Sequence, residues 1–193
     1  MRHDVELDGV AFRLRPITSD DAAFIVALRN DARLSRFLHR GAPDVAAQQR
    51  WLQAYFERPG DYYFIVERRA DGSPEGALGI YDLEAATRRA EWGRWVLRAG
   101  SLAAAESAWL VYRAAFDVLG LELVYCRTVA ANQRVVSFHT ACGLTTHATL
   151  PGHAVLDGVP HDVVEQHLTR AAWPTVGQRL RQQAERAAAV LAR

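Results

Sequence analysis

Between Glu91 and Leu144 the hydrophobic period switches repeatedly. Glu91-Trp-Gly-Arg-Trp-Val-Leu-Arg98 reads as a strand, Ala99-Gly-Ser-Leu-Ala103 as a turn, and Ala104 to Leu119 as a helix. Leu123 to Ala130 is a second strand, and a short helix opens at Asn132 and stops at Gly143. Strand, turn, helix, strand, helix is an α/β arrangement. A helix that begins directly after a strand gathers unpaired backbone N–H groups and a partial positive charge, so the turn at residues 98–103 suits a phosphate or pyrophosphate. One glycine in that turn is a weak signal by itself; Asn132 and His139 downstream strengthen it.

The rest of the chain extends this pattern. Val10-Ala-Phe-Arg-Leu-Arg15 alternates as a half-buried strand does, and Pro16 ends it. Thr18-Ser19-Asp20-Asp21 starts a helix carrying Phe24, Ile25 and Leu28, and Asp44 to Glu57 forms a second with Trp51, Leu52 and Tyr55 on one side. Tyr62–Glu67 and Gly76–Asp82 are the arms of a hairpin around Ala70-Asp-Gly-Ser-Pro74. Arg89–Leu97 follows. Its alternation puts Glu91, Gly93, Trp95 and Leu97 on one face and Trp92, Arg94 and Val96 on the other. In the helix from Ala104, Glu106, Arg113 and Asp117 fall on one stripe of an otherwise apolar, largely buried element. Leu123–Ala130 is apolar on both faces, as a central strand is. Thr145–Leu150 and Asp162–Arg170 are the last strands. These elements make one domain over residues 1–171. In the segment 172–193, Val176, Leu180, Ala184, Ala187 and Leu191 form a seam opposite Arg179, Arg181, Glu185 and Arg186. Such a helix either packs on its own domain or forms a homodimer contact.

Composition narrows the function. The 193 residues carry a net charge of +1, which argues against a nucleic-acid binder held mainly by phosphate contacts. Two cysteines, Cys126 and Cys142, make neither a disulfide framework nor a metal site, and no histidine pair has helical metal-ligand spacing. No signal-peptide pattern and no membrane-spanning apolar run is present, so the expected compartment is the cytoplasm.

Three residues stand out for chemistry. Glu91 is a carboxylate in a strand of tryptophans and apolar residues. It either pairs with a neighbouring arginine at the surface or is a partly desolvated general base. Asn132 is a good N-cap and shares a helix face with His139, which is either a satisfied core histidine or a site residue. Arg29 and Asn30 end the first helix, where both also have capping explanations.

The ordered set "LRPITSDDA", "LRND", "AEWGRWVL" and "NQRVVSFHTACGL" resembles the GNAT superfamily of N-acetyltransferases. It is most similar to the branch of ribosomal-protein N-terminal acetyltransferases and related amino-sugar acetyltransferases. The resemblance covers roughly residues 10–170. It implies the GNAT fold: a central, mixed, mostly antiparallel twisted sheet of about seven strands flanked by helices, plus a C-terminal helix. It also implies acetyl-CoA as co-substrate and no metal. Val96 and Leu97 would offer backbone groups to the pantetheine arm. Arg98, Gly100, Ser101, Leu102, Ala103 and Ala104 would hold the pyrophosphate, although Ser101 stands at a family glycine position. Asn132 matches the asparagine that contacts the cofactor arm, and Val135 stands where many relatives carry serine. His139 falls where many relatives carry the tyrosine that protonates the leaving thiolate, and Glu91 is the candidate base. The amine would attack the thioester directly, without an enzyme nucleophile.

By the same resemblance, the acceptor site draws on Arg29, Asn30, Trp51, Tyr81 and Trp92, with Trp95 nearby. An aromatic, arginine-bearing cleft suits an amino-sugar nucleotide, and residues 20–60 lack the carboxylate excess that basic ribosomal proteins would need. The primary expectation is therefore transfer of an acetyl group to the primary amine of a small molecule. The alternatives are a protein N-terminal acetyltransferase, with a peptide amine as acceptor, and a non-catalytic acyl-CoA sensor.

Overall fold

Apolar residues build the strands, alternately in some and as continuous buried runs in the central ones, and helices connect them. The computed structural model describes residues 2–191; of the segments 1–171 and 172–193, Met1, Ala192 and Arg193 lie outside the described residues. The elements are β1 (Leu7–Asp8), β2 (Phe12–Pro16), α1 (Ala22–Asn30), α2 (Val45–Phe56), β3 (Tyr62–Arg68), β4 (Pro74–Glu84), β5 (Arg89–Leu97), α3 (Ala104–Arg113, continuing as a π-helical turn over Ala114–Val118), β6 (Leu123–Val129), α4 (Gln133–Ala141), β7 (Thr145–Leu156), β8 (Val159–Thr169) and α5 (Trp173–Leu191). Asp44 caps α2 by accepting the Ala47 N–H at 2.7 Å.

The strands form one sheet in the order β1-β2-β3-β4-β5-β6-β8-β7, antiparallel except for the β5–β6 pair. It has eight strands rather than seven because the two-residue β1 pairs with β2 ahead of the expected first strand. The last two strands run past their expected ends to the Asp157-Gly158 turn, where both residues have positive φ as a tight hairpin requires. Pro151 and Gly152 are absorbed as an irregularity in edge strand β7.

Two cores cover the sheet. Ile25, Leu28, Leu52 and Tyr55 of α1 and α2 pack with Tyr63, Ile65 and Val96 on one face. On the other, α3 and α5 pack Leu110, Tyr112, Phe116, Trp173, Val176 and Leu180 on Phe64, Leu78, Ile80 and Trp92. Trp173 Nε1 donates to Asp117 Oδ1 at 2.9 Å, and Leu180 and Ala184 are fully buried within the chain.

Two departures of β5 from a regular strand create the site. It pairs with β6 only through Arg89, Ala90 and Glu91; beyond Glu91 it stays with β4 while β6 follows β8, so the sheet splits. It also carries a bulge. Ala77 faces Val96 and Gly79 faces Gly93, and Arg94 takes a φ of 52°. An extra residue reverses alternation downstream. The regular alternation over the whole strand therefore does not hold. Trp95 and Leu97 join Trp92 against the α3 core, and Val96 packs with the α1–α2 core.

Glu106, on the charged stripe of α3, points inward. It is fully buried, and its carboxylate accepts backbone N–H groups of Val10, Ala11 and Phe12, the last at 3.1 Å. Glu106→Gln weakens this three-donor clasp on the β1–β2 turn. The expected cost is about 1–3 kcal/mol, read as a lower denaturation midpoint at unchanged m-value.

Candidate active site

The split between β5 and β6 opens a cleft of about 740 Å³ that passes from the α1–α2 side to the α4 side. Glu91 sits at its apex, 7% exposed. The β4–β5 register sets Tyr81 opposite Glu91, and the Tyr81 hydroxyl donates to Glu91 Oε1 at 3.1 Å. A Cβ at residue 93 would overlap that hydroxyl, so Gly93 is the residue that lets it reach Glu91. On the far side Arg127 Nη1 donates to Glu91 Oε2 at 3.3 Å, and Arg127 Nε to Glu165 Oε2 at 2.9 Å. Burial pushes the Glu91 carboxyl up to about 7, against the opposing pull of Arg127 and the Tyr81 hydrogen bond. Burial, with the adjoining Glu91, holds the Tyr81 phenol well above its ordinary value, so it remains a donor.

Arg94, turned by the bulge, forms a bidentate pair with Asp61 at 2.6 and 2.9 Å and stacks its guanidinium 4.3 Å from the Tyr81 ring. Trp51, stacked on Tyr55, continues this wall. His139 lies on the α4 side. It is 3% exposed, its ring is 5.2 Å from Trp92 and 5.9 Å from Trp95, and its buried Nδ1 has no hydrogen-bond partner among the described residues. Desolvation alone lowers it to about 4. Asn132 caps α4 through its backbone: its side chain makes no capping bond and lines the cleft.

Residues 12–145 match the family model described as the acetyltransferase (GNAT) domain. The chain belongs to the GNAT acetyltransferase family. Among solved structures it is similar to apo FdhC, a nucleotide-linked sugar GNAT, at 28% identity over 92% of this chain and 97% of that one, with a TM-score of 0.77. It shares its fold with a GCN5-related N-acetyltransferase from Brucella melitensis, at 19% identity, 94% and 86% coverage and a TM-score of 0.81. It also shares it with spermidine N-acetyltransferase from Vibrio cholerae, solved with CoA and spermine, at 17% identity, 85% and 98% coverage and a TM-score of 0.77. No curated protein matches the chain at a significant level.

In this GNAT enzyme the sequence-expected residues divide into three groups. Glu91, His139, Asn132, Arg29, Trp51, Tyr81 and Trp92 line the cleft together, although Trp92 is only 1% exposed and spends its Nε1–H on the Tyr112 hydroxyl at 2.9 Å. Asn30 does not line it. Its amide donates to the Ala42 carbonyl at 3.1 Å, as Arg29 Nη2 donates to that of His39 at 2.6 Å, so both tie the α1–α2 loop to α1. Val96, Leu97, Arg98, Gly100, Ser101, Leu102, Ala103 and Ala104 form the far end of β5, the turn and the start of α3, outside the cleft lining. In that turn Gly100 has a φ of 78°, the Ser101 N–H reaches the Arg98 carbonyl at 3.1 Å, and the Ala103 N–H reaches Ser101 Oγ at 3.2 Å. Ser101 thus closes the turn through its own hydroxyl.

This geometry fits the CoA ester that the family uses. Among the described residues the β6-facing edge of β5 has no strand partner beyond Glu91, the first-turn amides of α3 follow after the 98–103 turn, and the Asn132 side chain, which makes no capping bond, lines the cleft. Sequence reading missed Arg94 and Arg127. The signal for Arg127 was an arginine inside the otherwise apolar run of β6; Arg94 depended on the bulge.

Proposed function

We propose that the protein transfers the acetyl group of acetyl-CoA to a primary amine on a small anionic molecule, an amino-sugar nucleotide being the type. The observation that carries this reading is Arg29 in the cleft wall, which forms no ion pair among the described residues and gives one N–H to the His39 carbonyl. Arg40, Arg94 and Arg127 line the cleft too, but each is already paired, with Asp157, with Asp61, and with Glu91 and Glu165. A guanidinium with donors to spare suits a phosphate-bearing acceptor better than a polyamine or a basic peptide. The similarity to a nucleotide-linked sugar GNAT supports the same reading.

Glu91 removes a proton from the acceptor ammonium, directly or through one water, and a carboxyl with a pKa of about 7 suits that task. The free amine attacks the thioester carbonyl, whose oxyanion is held by backbone N–H groups at the open edge of β5 near Val96. As the C–S bond breaks, the nitrogen of the tetrahedral adduct gives up its second proton to the sulfur, yielding amide and thiol. His139, with its pKa lowered to about 4, is a neutral imidazole at pH 7 and lacks the acidic imidazolium proton that the acid role requires; it lines the cleft as a neutral ring. Burial raises Cys126 well above its ordinary value and Cys142 to about 12, so neither is a thiolate and attack is direct.

The test is steady-state CoA release with amino-sugar nucleotides, spermidine and N-terminal peptides. Turnover is expected on the anionic class, with Arg29→Gln raising its KM about tenfold or more. Turnover on peptides alone would replace the acceptor class. Binding of acetyl-CoA without turnover on any amine would make the domain a sensor.

A further inference from the structure

Outside the cleft lining, the sheet gathers three metal-ligating side chains that lie apart in sequence. Glu165 and His167 alternate to the same face of β8. His147 belongs to the neighbouring strand, where the register slips: Thr146 faces Gln166 and Ala148 faces Glu165, so His147 is the bulged residue between them. A bulge re-aims its side chain, and here it sends His147 to the face of the other two. The two imidazoles stack with centroids 4.1 Å apart and 15° between planes. His167 Nε2 lies 2.7 Å from Glu165 Oε1, and one ligand atom from each of the three residues falls within 4.8 Å of the others.

We propose that His147, Glu165 and His167 bind a divalent transition-metal ion. Two imidazoles and one carboxylate suit zinc, nickel, cobalt or copper rather than calcium or magnesium, which prefer oxygen. The ion replaces the hydrogen shared by His167 Nε2 and Glu165 Oε1. Those atoms separate by roughly half an ångström to admit ligand bonds of about 2.0–2.1 Å. Glu165 Oε2 keeps its bond from Arg127 Nε at 2.9 Å, which orients the carboxylate as an outer-shell partner does. His147 is exposed on edge strand β7, so it can turn onto the ion and leave the remaining positions to water. The site stands beside the base without containing it, since Arg127 also donates to Glu91. An ion that draws charge from Glu165 leaves more of the Arg127 guanidinium to Glu91, so the site would modulate the enzyme rather than supply its chemistry.

The experiment is isothermal titration of the full chain with zinc chloride and with nickel chloride in a non-chelating buffer, followed by cobalt titration read by visible absorption. Saturable binding of one ion per chain is expected. His147→Ala and His167→Ala should each weaken it about tenfold or more, while His161→Ala leaves it unchanged. X-ray absorption of the nickel form should give a first shell of two imidazoles with oxygen. His147 is exposed, so if His167→Ala does not fold, His147→Ala decides. No saturable binding, or binding that His147→Ala does not weaken, overturns the proposal.

Discussion

Glu91→Gln will lower kcat/KM by about 10²–10⁴-fold and at the same time make the protein more stable at neutral and alkaline pH. Both effects come from one cause. The carboxylate is 7% exposed, and burial raises its pKa to about 7 from an ordinary value of 4.5, more than Arg127 and Tyr81 offset. Between those two values the folded chain holds a proton that the unfolded chain has released, so stability falls as pH rises through that window. Above about pH 7 the loss is on the order of 3 kcal/mol. Glutamine has the same shape, can accept the Tyr81 hydrogen bond and never ionises, so it removes the penalty, less the Arg127 bond that its amide nitrogen cannot accept. Melting curves for the two proteins should coincide in acid and separate by several degrees above neutrality. The rate follows the opposite logic, because only ionised Glu91 can take the proton. kcat/KM should therefore rise with pH through an acid limb near 7, and Arg127→Met should move that limb upward by removing the positive charge. A variant with undiminished turnover would place the base elsewhere. An unchanged melting profile would mean that the carboxylate is not desolvated.

Much of this site was legible because its parts are local. The turn before α3, the N-cap position of Asn132 and the strand position of Glu91 are set by neighbouring residues, and the order of elements carried the fold. What escaped depends on register between strands. The bulge at Arg94 turns a regular alternation into two half-patterns, so Trp95 turns to the core face and Arg94 turns into the cleft. Nothing in the local composition of β5 marks that extra residue. Glu106 looked like part of a charged stripe because its partners, the amides of Val10, Ala11 and Phe12, are far away in sequence. His139 occupies the expected position, but its protonation state depends on the aromatic walls around it, which only packing reveals. The cluster on β7 and β8 needs a second bulge to form, so the spacing of His147, Glu165 and His167 carries no motif.

Trp92→Ala will cost about 3–5 kcal/mol of folding stability, the range for removing a buried large aromatic ring. Trp92 is 1% exposed and touches the main elements of its core. Its ring meets Tyr112 at 5.6 Å, Trp95 at 5.5 Å and His139 at 5.2 Å. Its Nε1–H is the partner of the buried Tyr112 hydroxyl, so truncation also leaves that group without its donor. Trp92→Phe keeps most of the packing and loses only the N–H, so it should cost distinctly less. The larger change has a second readout. Burial holds His139 near 4, against an ordinary value of 6.5, so the folded wild type binds fewer protons than the unfolded chain between those values and loses stability as pH falls through them. Opening a cavity beside the imidazole admits water and relaxes that depression. The variant should therefore show a shallower decline in stability with acidification than the wild type, alongside its lower midpoint at neutral pH. Denaturant titrations at acid and neutral pH measure both. If stability held within about 1 kcal/mol while the KM for the amine acceptor rose sharply, the indole would be a stacking surface for the acceptor rather than the wall behind His139.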